Sequence, residues 1–202
     1  MTKAATRGRG RPGGVSSRRA RLLDVAAQQI AGQRSARLNL RELTRAADAT
    51  PALLHYYFGS LEGLLSVLMQ ERAEPLLRPL RDELQSCPGG AAATLARFLQ
   101  KWTSVMARQP WLLCCLLRPT GTATRHSLAT LLRDVVAQAQ RDGSVRHDLP
   151  ADYISLLLLM LGTLPQHCGS ELGAGLDVPA GASTQLTLLH LAVLQQGIAA
   201  LS

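Results

Sequence analysis

Rings are scarce in this chain: two tryptophans, three tyrosines and two phenylalanines in 202 residues. β-branched residues are few as well, and leucine and alanine dominate, a balance that disfavours strands and favours helix. Paired cysteines are missing. The four present, Cys87, Cys114, Cys115 and Cys168, form no CxxC and no paired spacing, so the sequence indicates neither a zinc site nor a disulfide framework. Cys114 and Cys115, being adjacent, point to different sides of a helix and read as small core residues. The N-terminal residues are basic but lack the apolar stretch of a secretory signal. The longest apolar run, Tyr153 to Leu164, is too short to span a bilayer. The expectation is an intracellular, cytoplasmic, all-α protein with no membrane partner, no metal and no cofactor.

What is present is unevenly placed. Residues 1 to 60 hold eleven Lys and Arg against three acids, whereas the remainder carries eleven of each, so the entire net charge of +8 lies in the first 60 residues. A basic segment on an electrically balanced body points to a polyanion contacted by the N-terminal part alone. Residues 1 to 15, with Arg7, Arg9 and Arg11 among glycines, have no apolar periodicity and read as a disordered basic arm. From Ser16 or Ser17 a first helix is expected to about Gly32, with Leu22, Val25, Ala26 and Ile30 recurring at helical spacing. Asn39 to Glu42 has the pattern of a capping box and opens a short second helix, on which Leu40 and Leu43 face inward and Ala46 and Ala47 allow close approach. Asp48 stands in a tight turn, Thr50 is a good N-cap and Pro51 suits the first helical position.

Two short helices across a tight turn, in the most basic part of the chain, make a helix-turn-helix. This accounts for three consecutive rings, Tyr56, Tyr57 and Phe58, in a chain so poor in them. A third helix from Thr50 presents Pro51, Ala52, His55 and Tyr56 outward, while Leu53, Leu54, Tyr57 and Phe58 are available to the core. Phe58 closes a core too small for a short helix to complete alone, and Tyr56 offers its hydroxyl to a base edge or phosphate. Ser60 then caps a long fourth helix in which Pro75 and Pro79 are expected to introduce a bend or break. Further helices are predicted at 91 to 108, 110 to 117, 121 to 141, 151 to 165 and 183 to 200, separated by proline and glycine breaks.

The run RLLDVAAQQIAGQRSARLNLRELTRAADATPALLHYYFGSLEGLL, residues 21 to 65, resembles the DNA-binding domain of the tetracycline-repressor (TetR) family of transcriptional regulators. The likeness rests on the LLDVAA start, the LREL helix, Thr50 as cap and the aromatic-Phe-Gly-Ser-x-Glu exit. Departures are Arg34 and Asp48 where glycines are common, His55 where tyrosine is frequent, and Leu61 in place of a phosphate-gripping lysine. Gly10-Arg11-Pro12, flanked by Arg7 and Arg9, resembles the core of an AT-hook, which lies in narrow minor grooves.

The resemblance implies a homodimer on a near-palindromic double-stranded DNA operator, with one third helix per major groove. Thr50, Pro51, Ala52, His55 and Tyr56 then face bases and nearby phosphates, and Arg37, Arg41, Arg45 and Ser60 hold the backbone. It further implies three parts: a basic arm at 1–15, a helix-turn-helix domain at 16–62, and a helical ligand-binding and dimerisation domain at 63–202. Dimerisation falls to helices 151 to 165 and 183 to 200, the latter through Leu186, Leu189, Val193, Gly197 and Ala200. A small apolar or amphipathic inducer is expected among Phe98, Trp102, Met106, Trp111, Cys114, Met160 and His167, releasing a repressor from its operator. Two alternatives stay open, an architectural DNA-binding protein without inducer control and a thiol-based redox sensor. An enzyme is not expected, because the scattered cysteines and histidines form no catalytic signature.

Overall fold

The computed structural model describes residues 13–32 and 38–172, with side chains placed for 17–32 and 38–163. The described residues are helical throughout their regular parts: α1 (Gly13–Gly32), α2 (Leu40–Ala46), α3 (Pro51–Phe58), α4 (Leu61–Leu68), α5 (Glu74–Ser86), α6 (Ala91–Arg108), α7 (Trp111–Leu116), α8 (Thr122–Arg141) and α9 (Ala151–Leu172). They belong to two compact units, residues 1–65 and 66–202, the division falling within α4. Residues 1–12 of the expected basic arm, Arg37 of the helix-turn-helix, and the 183 to 200 helix with Leu186, Leu189, Val193, Gly197 and Ala200 lie outside the described residues, whereas residues 13–15, expected in the disordered arm, belong to α1.

In the first unit, α1, α2 and α3 pack against one another. Leu22, Leu23, Ala26 and Ile30 of α1 are buried with Leu43, Ala47, Leu54 and Phe58. The helix begins at Gly13, ahead of the serines expected to cap it. On α2 the inward positions differ from the expected ones: Ala46 is exposed, and Thr44 is buried in its place. Thr44 can sit there because its hydroxyl donates to the Leu40 carbonyl one turn back, at 2.9 Å, leaving a methyl group for the core.

The second unit is arranged about α6, which packs against α5, α8 and α9. Its buried face runs through Leu95, Phe98, Leu99, Trp102 and Met106. Trp102 locks α6 to α9: its Nε1 donates to the Leu159 carbonyl at 3.2 Å, and a Cβ on Gly162 would stand only 2.4 Å from the indole Cδ1. Gly162 is therefore the space the ring occupies. The α5–α6 contact is closed on its polar side by Glu83, which receives Arg97 Nε at 2.6 Å and also pairs with Lys101.

Between α4 and α5 the chain makes one π-helical turn, Met69–Ala73, whose closing bond runs from the Glu74 N–H to the Met69 carbonyl. The prolines explain its place. Pro75 has no N–H to offer the Glu71 carbonyl, so the regular ladder cannot continue, and a widened turn absorbs the mismatch. Pro79 removes a second bond inside α5 without ending it. Similarly, α9 runs past Pro165 to Leu172 rather than stopping there as expected.

Candidate nucleic-acid interface

The α2–turn–α3 geometry is set by short-range chemistry. Asn39 caps α2, its side chain accepting from the Arg41 N–H at 3.0 Å, one residue earlier than the capping-box pattern predicts. Asp48 takes up φ 51°, in the left-handed region that aspartate tolerates better than most residues. The chain can then turn sharply, and the Ala49 N–H returns to the Thr44 carbonyl at 2.9 Å. Thr50 Oγ1 accepts from the Leu53 N–H at 3.2 Å, and Pro51 occupies the first turn of α3. The Thr50 hydroxyl proton remains available to an outside acceptor.

Along α3 the side chains divide as their spacing requires. Leu54 is fully buried and Phe58 nearly so, Leu53 and Tyr57 are half-buried, and Pro51, Ala52, His55 and Tyr56 are exposed. Tyr56 keeps 80% of its surface open although it is one of the largest apolar side chains in the chain. The rings form an edge-to-face series, Tyr56 to Tyr57 at 5.3 Å and Tyr57 to Phe58 at 6.1 Å between centroids. The buried end is held from outside by Arg19, whose guanidinium lies 5.4 Å from the Phe58 centroid. Thus Phe58 anchors the series and Tyr56 projects from it.

His55 contributes a feature that its sequence position does not announce. Its Nδ1 lies 2.7 Å from the Gly59 carbonyl, which can only accept, so Nδ1 carries the proton. In the neutral ring Nε2 is then the acceptor. Gly59 adopts φ 73°, where a Cβ would be strained, and turns the chain out of α3. Ser60 Oγ accepts from the Gly63 N–H at 3.0 Å and starts α4. Gly63 was not singled out by the sequence reading, yet a Cβ there would lie 1.9 Å from the Phe58 carbonyl oxygen. Its proximity to a Gly59-Ser60 turn is the one signal that could have found it.

Of the remaining residues expected at this surface, Arg41 and Arg45 are exposed on α2, and Ser60 is half-buried because its hydroxyl is engaged as a cap. No group of three His, Cys, Asp or Glu side chains suited to a metal occurs among the described residues.

In the second unit, Phe98 and Trp102 stack at 6.1 Å, and Met106 on α6 and Trp111 on α7 are buried. Trp111 Nε1 is satisfied by Gln109 Oε1 at 2.7 Å. Cys114 is half-buried, Met160 is 46% exposed on α9, and His167 lies on α9 beyond the described side chains. A separate groove of about 430 Å³ lies between α5 and α6, lined by Pro75, Leu76, Pro79, Leu80, Gln100, Lys101, Ser104 and Val105. None of the residues expected around an inducer lines it. On α9, Tyr153, Leu156, Leu157 and Met160 form an exposed apolar stripe at helical spacing. Among the described residues no single helix is long and apolar enough to cross a membrane.

No family profile matches the chain. It is 36% identical over 80 residues to the HTH-type transcriptional regulator BetI of Rhizobium meliloti (strain 1021), a match that spans 40% of this chain and 37% of that relative. A TetR family transcription regulator from Marinobacter aquaeolei VT8 superposes with a TM-score of 0.65 over 92% of this chain and 97% of its own, at 18% identity. AibR, solved in complex with isovaleryl coenzyme A and operator DNA, superposes with a TM-score of 0.70 over 87% of this chain and 97% of its own, at 15% identity. At these identities the solved structures establish a likeness of fold.

Proposed function

We propose that this chain, which has the all-α fold of TetR-family regulators, is a sequence-specific DNA-binding transcriptional regulator that acts as a homodimer and leaves its operator when a small molecule binds the second unit. The observation that carries the reading is α3: a capped helix, anchored at one end by Phe58, that holds Tyr56 80% exposed in the part of the chain that carries all the net positive charge. A helix of this kind fits the major groove, with the Thr50 hydroxyl, Pro51 and Ala52 at its leading end. With Nδ1–H of His55 committed to the Gly59 carbonyl, Nε2 is the ring nitrogen that faces an exocyclic amine of adenine or cytosine, and the Tyr56 hydroxyl reaches a base edge or phosphate. Arg41, Arg45, the Ser60 turn, Arg37 and the arm residues Arg7, Arg9 and Arg11 supply backbone contacts.

The apolar stripe on α9 supports the dimer, for Tyr153, Leu156, Leu157 and Met160 at 67, 57, 49 and 46% exposure are what a helix bundle between copies would cover. Leu186, Leu189, Val193, Gly197 and Ala200 extend that interface in the same proposal. The BetI match supports the regulator class, and AibR, solved with isovaleryl coenzyme A and operator DNA, supports a regulator that takes both a small molecule and DNA on this fold. The ligand site is assigned to the apolar interior around Phe98, Trp102, Met106, Trp111 and Cys114; Met160, exposed in the α9 stripe, falls to the dimer face in this reading, and His167 lies further along α9.

Selection of bound sequences from a random DNA library by the full-length protein tests the reading, with Tyr56→Ala and a form lacking residues 1–15 in parallel. The expected result is a near-palindromic motif that Tyr56→Ala loses while its unfolding free energy stays within about 0.5 kcal/mol of the parent's. Binding that depends on salt but selects no sequence overturns the regulator reading in favour of an architectural protein.

A further inference from the structure

Between Glu83 and Asp134 the chain contains no acidic residue, although Arg97, Lys101, Arg108, Arg118, Arg125 and Arg133 all lie in that interval. Several of these find partners at its edges or in the backbone. Arg97 and Lys101 share Glu83, Arg133 pairs with Asp134, and Arg125 Nη1 donates to the Leu116 carbonyl at 2.6 Å. Arg118 is different. Its Nε and Nη2 are both buried from solvent, and neither meets an acceptor among the described residues.

The pair of atoms matters. Nε–H and Nη2–H form one edge of the guanidinium plane, the edge that takes both oxygens of a carboxylate or phosphate side-on. Arg146 shows the same edge in use, its Nε donating to Asp148 Oδ1 at 2.5 Å and its Nη2 to Oδ2. At Arg118 the fork is equally complete and meets no oxygen among the described residues. A charged donor pair withdrawn from water with no acceptor is strongly destabilising, and an oxyanion is the group that relieves it.

The setting is suited to such a group. Arg118 follows the end of α7, its N–H bonded to the Cys115 carbonyl at 3.2 Å, and its own carbonyl receives the Gly121 N–H at 3.0 Å, so the Pro119–Gly121 turn is held tightly at the start of α8. Thr120, in that turn, has a buried hydroxyl oxygen that also lacks a partner among the described residues. The fork borders apolar interior: Cys115, fully buried, has its thiol pushed up to about 12 by burial, against an opposing pull from the Arg118 charge. Cys115 belongs to the buried side of α7, with Trp111, Leu112 and Leu116, so apolar side chains lie close to the fork.

We propose that Arg118, aided by the Thr120 hydroxyl, is the binding site for an oxyanion, the carboxylate or phosphate group of a small organic ligand. The proposal rests on the regulator reading for its consequence, since the oxyanion is the polar end of the inducer and gives that ligand its charge class. Apolar side chains of α7 beside the fork supply the apolar contacts, and Arg118 selects for an acid over the matching alcohol or amide.

The test uses the full-length protein labelled with nitrogen-15 and follows the Arg118 Nε–H resonance, identified by its disappearance in Arg118→Lys. Sodium acetate and inorganic phosphate are titrated separately at constant ionic strength against chloride. A saturable shift with either anion is the expected result. Tighter binding of acetate marks a carboxylate site and tighter binding of phosphate a phosphate site. Arg118→Met supplies an independent arm: without anion it melts no lower than the parent, because two buried, unpaired donors have been removed, and it loses the stabilisation that saturating anion gives the parent. At a hundred times the dissociation constant that stabilisation is about 2.7 kcal/mol. A resonance unmoved by both anions, or an Arg118→Met form stabilised by them as much as the parent, overturns the site. The library selection reads the regulator function separately. A palindromic motif without any anion response removes only the oxyanion site, whereas an anion response without sequence selection keeps the site and removes its role as an inducer contact.

Discussion

Two residues illustrate how much can depend on a single atom. Gly63 has no side chain to contribute, but the Phe58 carbonyl oxygen lies where its Cβ would be, at 1.9 Å. Backbone on both sides of that contact is fixed, by the Gly59 turn and by the Ser60 cap. Gly63→Ala is therefore expected to cost more than about 3 kcal/mol, seen as a lowered urea midpoint, whereas Ser60→Ala should cost about 1 kcal/mol by loss of the cap. Equal, small effects of the two would contradict the close approach. Cys115 gives a pH effect. Burial raises its thiol from 9.0 to about 12, so the folded chain keeps a proton that the unfolded chain releases. The contribution is intact below pH 9.0 and is lost progressively as the pH rises toward about 12. Unfolding free energies measured across that range should fall less steeply in Cys115→Ala than in the parent.

At the scale of elements, the π turn and the α5–α6 contact show local and distant causes acting together. Pro75 breaks the ladder locally, and the turn Met69–Ala73 follows from it. The contact between α5 and α6 requires both helices in place before Glu83 can meet Arg97 and Lys101. Hydrogen bonds from Lys101 and then Arg97 hold the Glu83 carboxyl below its usual value of 4.5. The sign follows directly: the interaction stabilises the fold above that value and is lost as the pH falls through the lowered one. Glu83→Gln should accordingly narrow the stability difference between neutral and acidic pH, read from denaturant midpoints at the two. No narrowing would mean that the pairs are solvent-screened and contribute nothing measurable. Which helices form was legible in local pattern: Gly90 before α6, Gln109-Pro110 after it, and Thr50-Pro51 before α3 are all signals carried within a few residues. The run past Pro165 was not legible, since whether one missing N–H ends a helix depends on what packs around it.

For the whole molecule, the consequence to check is association. If the α9 stripe is covered by a second copy, Leu156→Glu together with Met160→Glu should yield a folded monomer by light scattering, with helicity preserved and binding to a two-half-site DNA lost. A dimer of unchanged mass would move the interface elsewhere. The sequence by itself determined the helical class, because leucine and alanine leave no material for strands, and it determined the outward position of Tyr56 and the burial of Phe58, because helical spacing and a Thr-Pro cap set their phase. It also placed the positive charge in the first 60 residues. Only the tertiary structure decided that Thr44 replaces Ala46 in the small core, that Gly63 and Gly162 are spaces required by a carbonyl and an indole, that a groove opens between α5 and α6, and that the Arg118 fork is buried without an acceptor among the described residues. The reason is common to all four. Periodicity and capping are properties of neighbours in sequence, whereas the room beside a backbone and the partner of a charge depend on segments that meet only once the chain has folded.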